Sequence, residues 1–390
     1  MVLKETNLNK QSMNILIRVD ASLKIGSGHV MRCLTLAKQL RYDGANVIFV
    51  CREHQGHMQT KIEADGFICL LLSNEESAKI SIESEIDSEA EYLSWLGCSL
   101  EKDVEQTIKI AKEYSDKYLM NNQYDWIVCD HYAIDKSWHQ LARKFTKKIL
   151  VIDDLANRKY DCDVLLDQTF LCENDKYENK INSDTYRLYG TDYALLGSDY
   201  SDLRTDGLLQ KRQLICQPTK ILVFMGGSDK VNWTIRVLNT LNTVNLSSSY
   251  LKQLSIDIVI GSQYQYKVEL SSLITTSELK ISLLENINNM AERIADADIA
   301  IGAGGGSSWE RCCLALPTLT CVVADNQREL SAKLESFGAI IVWETEKELK
   351  RKLTDIFIES NRLSEMSLAS SKVCDGRGTK RVSKIVFELS

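Results

Sequence analysis

The chain has 390 residues, with 47 Lys plus Arg against 54 Asp plus Glu and a formal charge of −7. At about 100–200 residues per domain this length predicts two or three domains, and 44% hydrophobic with 26% charged residues excludes a disordered or collagen-like chain. Net acidity without a strongly basic run argues against nucleic acid as a partner.

Residues 1–12 read as a polar tail, and the charges of the first twenty residues predict no apolar core for a signal peptide. Short apolar, β-branched runs then predict strands over 14–20, 46–51, 67–72, 126–130, 148–153 and 164–167, as buried parallel strands require. Between the first two runs, Val30, Leu34, Ala37 and Leu40 recur at helical spacing and Gly44 stands where a C-terminal cap belongs. Strand, glycine-rich turn, helix and strand make one βαβ unit. The acidic segment 75–116 reads as solvent-facing helices, with Val104, Ile108 and Ala111 at helical spacing.

The second half repeats this alternation. Strands are predicted over 221–225, 255–260, 280–284, 298–303, 318–323 and 339–343, and helices over 232–244, 287–295, 307–315, 327–337 and 345–358. The fold class is therefore α/β, with two Rossmann-like domains. The N-terminal one is expected over 13–205 and the C-terminal one over 216–375, joined through the polar stretch that ends at Pro218. Residues 376–390 are expected to pack back on the first domain.

The 12 cysteines form no CxxC pair and mostly sit in apolar runs, where free cysteine behaves as a small buried hydrophobe. Structural zinc and disulfides are disfavoured, and a reducing cytoplasm is expected. The longest uncharged apolar stretch, 312–324, is broken by Pro317 and is too short for a bilayer, so no membrane partner is expected.

The chemistry concentrates after strands. Gly26, Ser27, Gly28 and His29 lie between the first strand and its helix, where glycine admits close approach of an anion and the helix start presents unpaired N–H groups. A positive helix end favours neutral imidazole, so His29 suits a general base, although a purely structural histidine has the same spacing. Position 31 is methionine, so the run is not a dinucleotide fingerprint. Gly226 and Gly227 follow another strand, as do Gly302 to Glu310, whose glycines and Ser307 and Ser308 could cradle a diphosphate. Glu310 could take ribose hydroxyls or cap its helix. Asp130-His131-Tyr132 ends a strand on the same rim, with an Asx-type turn the simpler reading. Asn326 and Gln327 could present two amides, or Asn326 could cap a helix. His54 and His57 read as an exposed loop, and Asp153-Asp154 as a turn or a weak magnesium pair, so no metal site is expected.

The runs RVDASLKIGSGHVMRCLTLAKQL, CDHYAID, VIDDLANRKYDCDVLLDQ, YALLGSDY, FMGGSD, IGAGGGSSWERCCLALPTL and VADNQREL occur in this order. Together they resemble the UDP-2,4-diacetamido-2,4,6-trideoxy-β-L-altropyranose hydrolases of pseudaminic acid biosynthesis, which supplies flagellin and surface glycans. The resemblance spans roughly residues 14–345 and implies a glycosyltransferase-B type fold with the active site between its domains. It also implies a cytoplasmic, inverting enzyme with no metal or cofactor, working as a monomer or weak homo-oligomer on a UDP-sugar. Position by position, it implies His29 as the base, Tyr132 near the sugar and Asn326 orienting substrate or water. It places Glu310 on the uridine ribose, with Asp20, Gly26, Ser27, Gly28, Gly226, Gly227, Ser307, Ser308 and Gln327 around the substrate. A transferase with a UDP-sugar donor and a UDP-sugar 2-epimerase are the alternatives.

Overall fold

The computed structural model describes residues 12–74, 88–119, 123–215, 217–244, 253–358 and 361–390. These fall into two compact units. One runs to Asp167 and adds Cys172–Tyr189 and Thr379–Ser390; the other comprises Gln168–Leu171 and Gly190–Gly378.

The first unit carries β1 (Asn14–Val19), β2 (Asn46–Arg52), β3 (Ile68–Leu72), β4 (Tyr124–Asp130), β5 (Thr146–Ile152), β6 (Val164–Asp167) and β7 (Tyr186–Tyr189). They form a parallel sheet in the order β3-β2-β1-β4-β5-β6-β7. All six residues of β1 are buried, so its near-continuous apolar run reflects cover on both faces. The second unit carries β8 (Lys220–Phe224), β9 (Ser255–Ile260), β10 (Lys280–Glu285), β11 (Ile299–Ala303), β12 (Thr318–Cys321) and β13 (Ile340–Trp343). Their order, β10-β9-β8-β11-β12-β13, repeats that of the first six strands, and every pairing is again parallel.

In each sheet the chain reverses its direction of travel between the first and fourth strands. The helices that leave their carboxyl ends diverge there and open a crevice. The crevice lies at the ends of β1 and β4 in one unit and of β8 and β11 in the other, where the glycine-rich loops and the Asp-His-Tyr triplet stand.

β7 was not expected. It is a four-residue edge strand, YRLY, with a single buried residue, so it lacks the apolar run that marks a central strand. The helix Lys267–Thr276 was missed for the same reason, since only Leu270 is buried on it. The closing segment forms two helices, Arg362–Ser371 and Gly378–Glu388. Val382 and Val386 are fully buried, Ser383 Oγ donates to Asp43 at 2.6 Å, and Trp126 Nε1 donates to Ser390 Oγ at 2.7 Å, all within the first unit.

The stretch expected as a linker is instead built into the second unit as the helices Ser198–Leu203 and Asp206–Gln213. Arg212 is 1% exposed and donates to the carbonyls of Leu314, Ala297 and Ile294, and Arg204 reaches those of Cys313 and Ser371. These carbonyls accept from the buried Arg212 and the half-buried Arg204 guanidinium groups, so a polar sequence here marks attachment rather than solvent. No helix among the described residues is long and apolar enough to cross a membrane.

Candidate active site

The helix Gly28–Tyr42 leaves β1 through a turn made by its own residues. Ser22 Oγ accepts from the N–H groups of Lys24 and Ile25, and Gly26, at φ +83°, donates to the Ser22 carbonyl at 2.9 Å. The turn ends at Ser27, whose side chain caps nothing, and no acid occupies the first helical turn. The N–H groups of Gly28, His29 and Val30 therefore precede the first intrahelical bond, from Met31 to Ser27 at 3.0 Å. A Cβ at Gly28 would meet no atom within 4 Å, and its backbone does not need glycine, so the exposed N–H edge of this helix is open.

His29 is 9% exposed and places Nδ1 2.6 Å from Asp130 Oδ1 at the end of β4. The β1–β4 register, which pairs Val19 with Asp130, brings the two ends together. Burial works to raise the Asp130 pKa, but the Arg32 charge and the hydrogen bonds from Arg32 and His29 outweigh it and hold the carboxyl well below its usual range. An ionised carboxylate only accepts, so Nδ1 carries a proton and Nε2 is the atom left for other work. Arg32 grips the same carboxylate with Nε and Nη2, both at 2.6 Å, and lies 3.5 Å from Asp154. Tyr132 donates its hydroxyl to Asp154 Oδ1 at 2.6 Å, and its ring meets His29 edge-on at 4.6 Å. The Asp-His-Tyr triplet is thus no local Asx turn; its first and third residues orient the His29 ring.

His29 and Tyr132 meet here, but Asp20 does not join them. Asp20 is fully buried, accepting from Arg18 at 2.6 and 2.8 Å and from the Arg52 N–H at 2.6 Å. The expectation that it touches substrate is corrected: its oxygens are taken by strand neighbours. Beneath it, Asp103 on the helix Leu100–Tyr118 accepts from Arg18 at 2.6 and 3.1 Å, Arg52 at 2.7 Å and Trp138 Nε1 at 2.9 Å. The acidic segment is therefore not simply a solvated face, although 75–87 lie outside the described residues. His131 Nε2 stands 3.4 Å from Asp20, and burial drives its pKa down to about 3. His54 is not in an exposed loop either: Nε2 lies 3.8 Å from Asp20 and burial lowers its pKa. Asp153 forms the expected turn, accepting from the N–H groups of Leu155 and Ala156, with Arg158 at 2.9 Å.

In the second unit the corresponding loops are mostly backbone. Gly226 needs glycine at φ +93°, and Gly227 has open space where a Cβ would stand. Gly261 packs on Gly227, its Cβ position 2.4 Å from the Gly227 carbonyl. The next helix, Trp233–Thr243, is closed to anions because Asp229 accepts from the N–H groups of Trp233 and Thr234 at 2.9 and 2.7 Å. After β11, Gly305 adopts φ +96° and Gly306 stands in open space. Arg311 braces this loop from below, donating to Ser307 Oγ at 3.0 Å, Ser308 Oγ at 3.4 Å and the Ala303 carbonyl at 2.8 Å.

Ser307 remains partly exposed, whereas Ser308 is 2% exposed and belongs to the brace, which corrects its expected contact with substrate. Gln327 is also a brace: its Oε1 accepts from the Val323 N–H at 3.1 Å and lies against Gly304. Glu310 is half-buried beside Tyr200, which hydrogen-bonds it. Burial lifts the Glu310 pKa to about 7 against the opposing charge of Arg311. The Asn326 side chain lies outside the described residues; its backbone belongs to the turn Asp325–Gln327.

Sequence reasoning missed Asp130 as the partner of His29, and with it Arg32, Asp154 and Arg311. An arginine three residues after the histidine on one helix, with an acid ending another strand, was the available signal.

Comparison with known proteins fits this architecture. Residues 221–382 match the model of the glycosyltransferase family 28 C-terminal domain. An uncharacterized protein of Methanocaldococcus jannaschii is 28% identical over 323 residues, 81% of this chain but only 57% of the relative. The chain therefore spans a little over half of that relative's length. The UDP-2,4-diacetamido-2,4,6-trideoxy-β-L-altropyranose hydrolase of Campylobacter jejuni is 24% identical over 237 residues, 60% of this chain and 68% of the relative. Among solved structures, Acinetobacter baumannii MurG superposes with a TM-score of 0.62 at 15% identity over 97% of this chain and 99% of that one. The Neisseria meningitidis UDP-GlcNAc 2-epimerase bound to UDP-GlcNAc gives 0.58 at 11% identity over 97% and 100%. Two parallel-sheet Rossmann-like units with these neighbours give the chain the glycosyltransferase-B fold.

Proposed function

We propose that this protein is a UDP-sugar hydrolase that cleaves UDP-2,4-diacetamido-2,4,6-trideoxy-β-L-altropyranose to UDP and 2,4-diacetamido-2,4,6-trideoxy-L-altrose with inversion. The observation that carries the reading is the 2.6 Å His29–Asp130 contact at an uncapped helix start. It supplies a proton acceptor, Nε2, with its tautomer and ring orientation held by a carboxylate. Water gives a proton to Nε2 as its oxygen bonds to C1, and the C1–O bond breaks with the electron pair leaving on UDP. Attack opposite the leaving group inverts C1. Open N–H groups at Gly28 and His29, and loop N–H groups at Gly226, Gly227, Gly306 and Ser307, are suited to the negative charge that develops. Tyr132 and Asn326 are proposed to orient sugar and water, and Glu310 to meet the ribose.

The match to the Campylobacter hydrolase supports the substrate named, and nucleotide-sugar chemistry fits the fold. A second reading, sugar transfer or 2-epimerisation, is favoured by the family 28 domain match and the epimerase neighbour. Proton NMR of the protein with this UDP-sugar in deuterated water, with EDTA and no acceptor, separates them. Free UDP and the inverted sugar are expected. Deuterium at C2 of the sugar would indicate an epimerase, and release only on adding an acceptor would indicate a transferase.

A further inference from the structure

The helix Ser88–Trp95 carries two aromatic residues to the His29 pocket, and nothing so far uses them. The Tyr92 ring lies 5.2 Å from that of Tyr132 and 4.8 Å from that of Trp95; Trp95 lies 5.9 Å from Tyr132, which itself touches His29 at 4.6 Å. Four rings thus form a continuous aromatic cluster, in which His29 and Tyr132 are buried and Tyr92 and Trp95 only half-buried. Its backing is rigid. Leu96 is fully buried, and Gly97, at φ +74°, sits 3.1 Å by its Cβ position from Arg52, Asn74 and His54. The following helix is fixed by the Asp103 bonds to Arg18, Arg52 and Trp138. Tyr132 cannot swing away while its hydroxyl is held by Asp154.

We propose that Tyr92 and Trp95 are specificity-determining residues, forming a wall beside His29 that takes a sugar bearing acetamido and deoxy-methyl groups in preference to a fully hydroxylated one. The proposal deepens, and rests on, the UDP-sugar reading above. Methyl groups and C–H bonds gain contact against aromatic faces, whereas a hydroxyl turned to the same face loses water and finds no acceptor. Selection of this kind needs ring surface held in place; Tyr92 meets Tyr132 at 68° and Trp95 at 84°, edge to face, and the buried clamp under the helix holds the group.

The test is calorimetric binding in a His29→Gln background, which removes the need for turnover. UDP-2,4-diacetamido-2,4,6-trideoxy-β-L-altropyranose is expected to bind more tightly than UDP. The Tyr92→Ala/Trp95→Ala pair should lose about tenfold of that sugar-dependent affinity while UDP alone binds as before, and Tyr92→Phe should retain it. UDP-N-acetylglucosamine, with hydroxyls at C4 and C6, should lose less. If the alanine pair does not fold, the Tyr92→Leu/Trp95→Leu pair keeps bulk without rings and gives the same readout. Unchanged sugar affinity, no sugar increment even with the wall intact, or an equal loss for UDP overturns the wall. Loss of the increment in the variant, combined with no UDP release by the unmutated enzyme, leaves the wall standing and removes hydrolysis instead.

Discussion

The two units share a strand order but equip their crevices in opposite ways. At the ends of β1 and β4 the chain places Asp20, His29, Asp130, His131 and Tyr132, with Arg18, Arg32, Arg52 and Asp103 packed around them. At the ends of β8 and β11 it places glycines, with Arg311 and Gln327 bracing them from behind. A side-chain crevice moves protons, because titratable groups can be oriented against one another. A backbone crevice holds an anion, because N–H groups without side chains can approach it closely. The same topology therefore supports division of labour, and the choice is made by a few residues after each strand.

The sharpest way to break this comparison is at His29. His29→Ala should keep UDP binding and lose about 10²–10⁴-fold in turnover, measured as UDP release. Turnover near that of the unmutated chain would remove the base from the side-chain crevice.

A loss of about 3 kcal/mol is expected for Asp103→Ala, which leaves the buried Arg52 guanidinium without a carboxylate and Arg18 with Asp20 alone. Urea unfolding of the first unit reads it directly. A loss under 1 kcal/mol would mean that the network is not the clamp that the geometry implies.

The pH dependence of stability should differ in sign between the crevices. Burial lowers the pKa of His131 and His139 to about 3, below the usual value near 6.5, so the unfolded chain binds the extra protons. Stability of the first unit should rise with pH between about 3 and 6.5, at up to about 1.4 kcal/mol per pH unit for each histidine. Asp20 and Asp103, whose carboxyls are held low by Arg18 against burial, add the same sign below about pH 4. Glu310 is opposite: with a folded pKa of about 7, it makes the second unit less stable as pH rises from about 4.5 to 7. Denaturant midpoints across pH, followed by a probe in each unit, test both slopes; parallel slopes would erase the distinction.

The smallest effect expected is that of Gly28→Ala. Its Cβ meets no protein atom, so stability should change by less than about 1 kcal/mol while affinity for UDP falls. Unchanged affinity would mean that no ligand approaches that helix start.

Eleven of the strands were legible because buried parallel strands demand apolar runs, and the edge strand β10, with no buried residue, was legible from its Ile and Leu residues; the glycine-rich loops after β1, β8 and β11 were legible because glycine, serine and histidine stand out at strand ends. β7 escaped because its four residues, YRLY, hold a single aliphatic side chain, and the helices Ser198–Leu203 and Asp206–Gln213 were read as a linker because polar composition does not reveal that Arg204 and Arg212 satisfy backbone carbonyls. Within the site, His29 was visible and Asp130 was noticed, but not their contact.

By itself the sequence determined the α/β class, two repeated strand–helix arrays and the identity of the polar residues after each strand, since these follow from periodicity and local backbone demands. Only the tertiary structure decided which polar residues face outward. Asp20 and Asp130 are both acids at or just beyond the end of a buried strand, yet one closes a sealed charge network and the other orients His29. That difference arises from which neighbours the parallel register and a helix residue 85 positions from Arg18 bring into reach, and no local pattern encodes it.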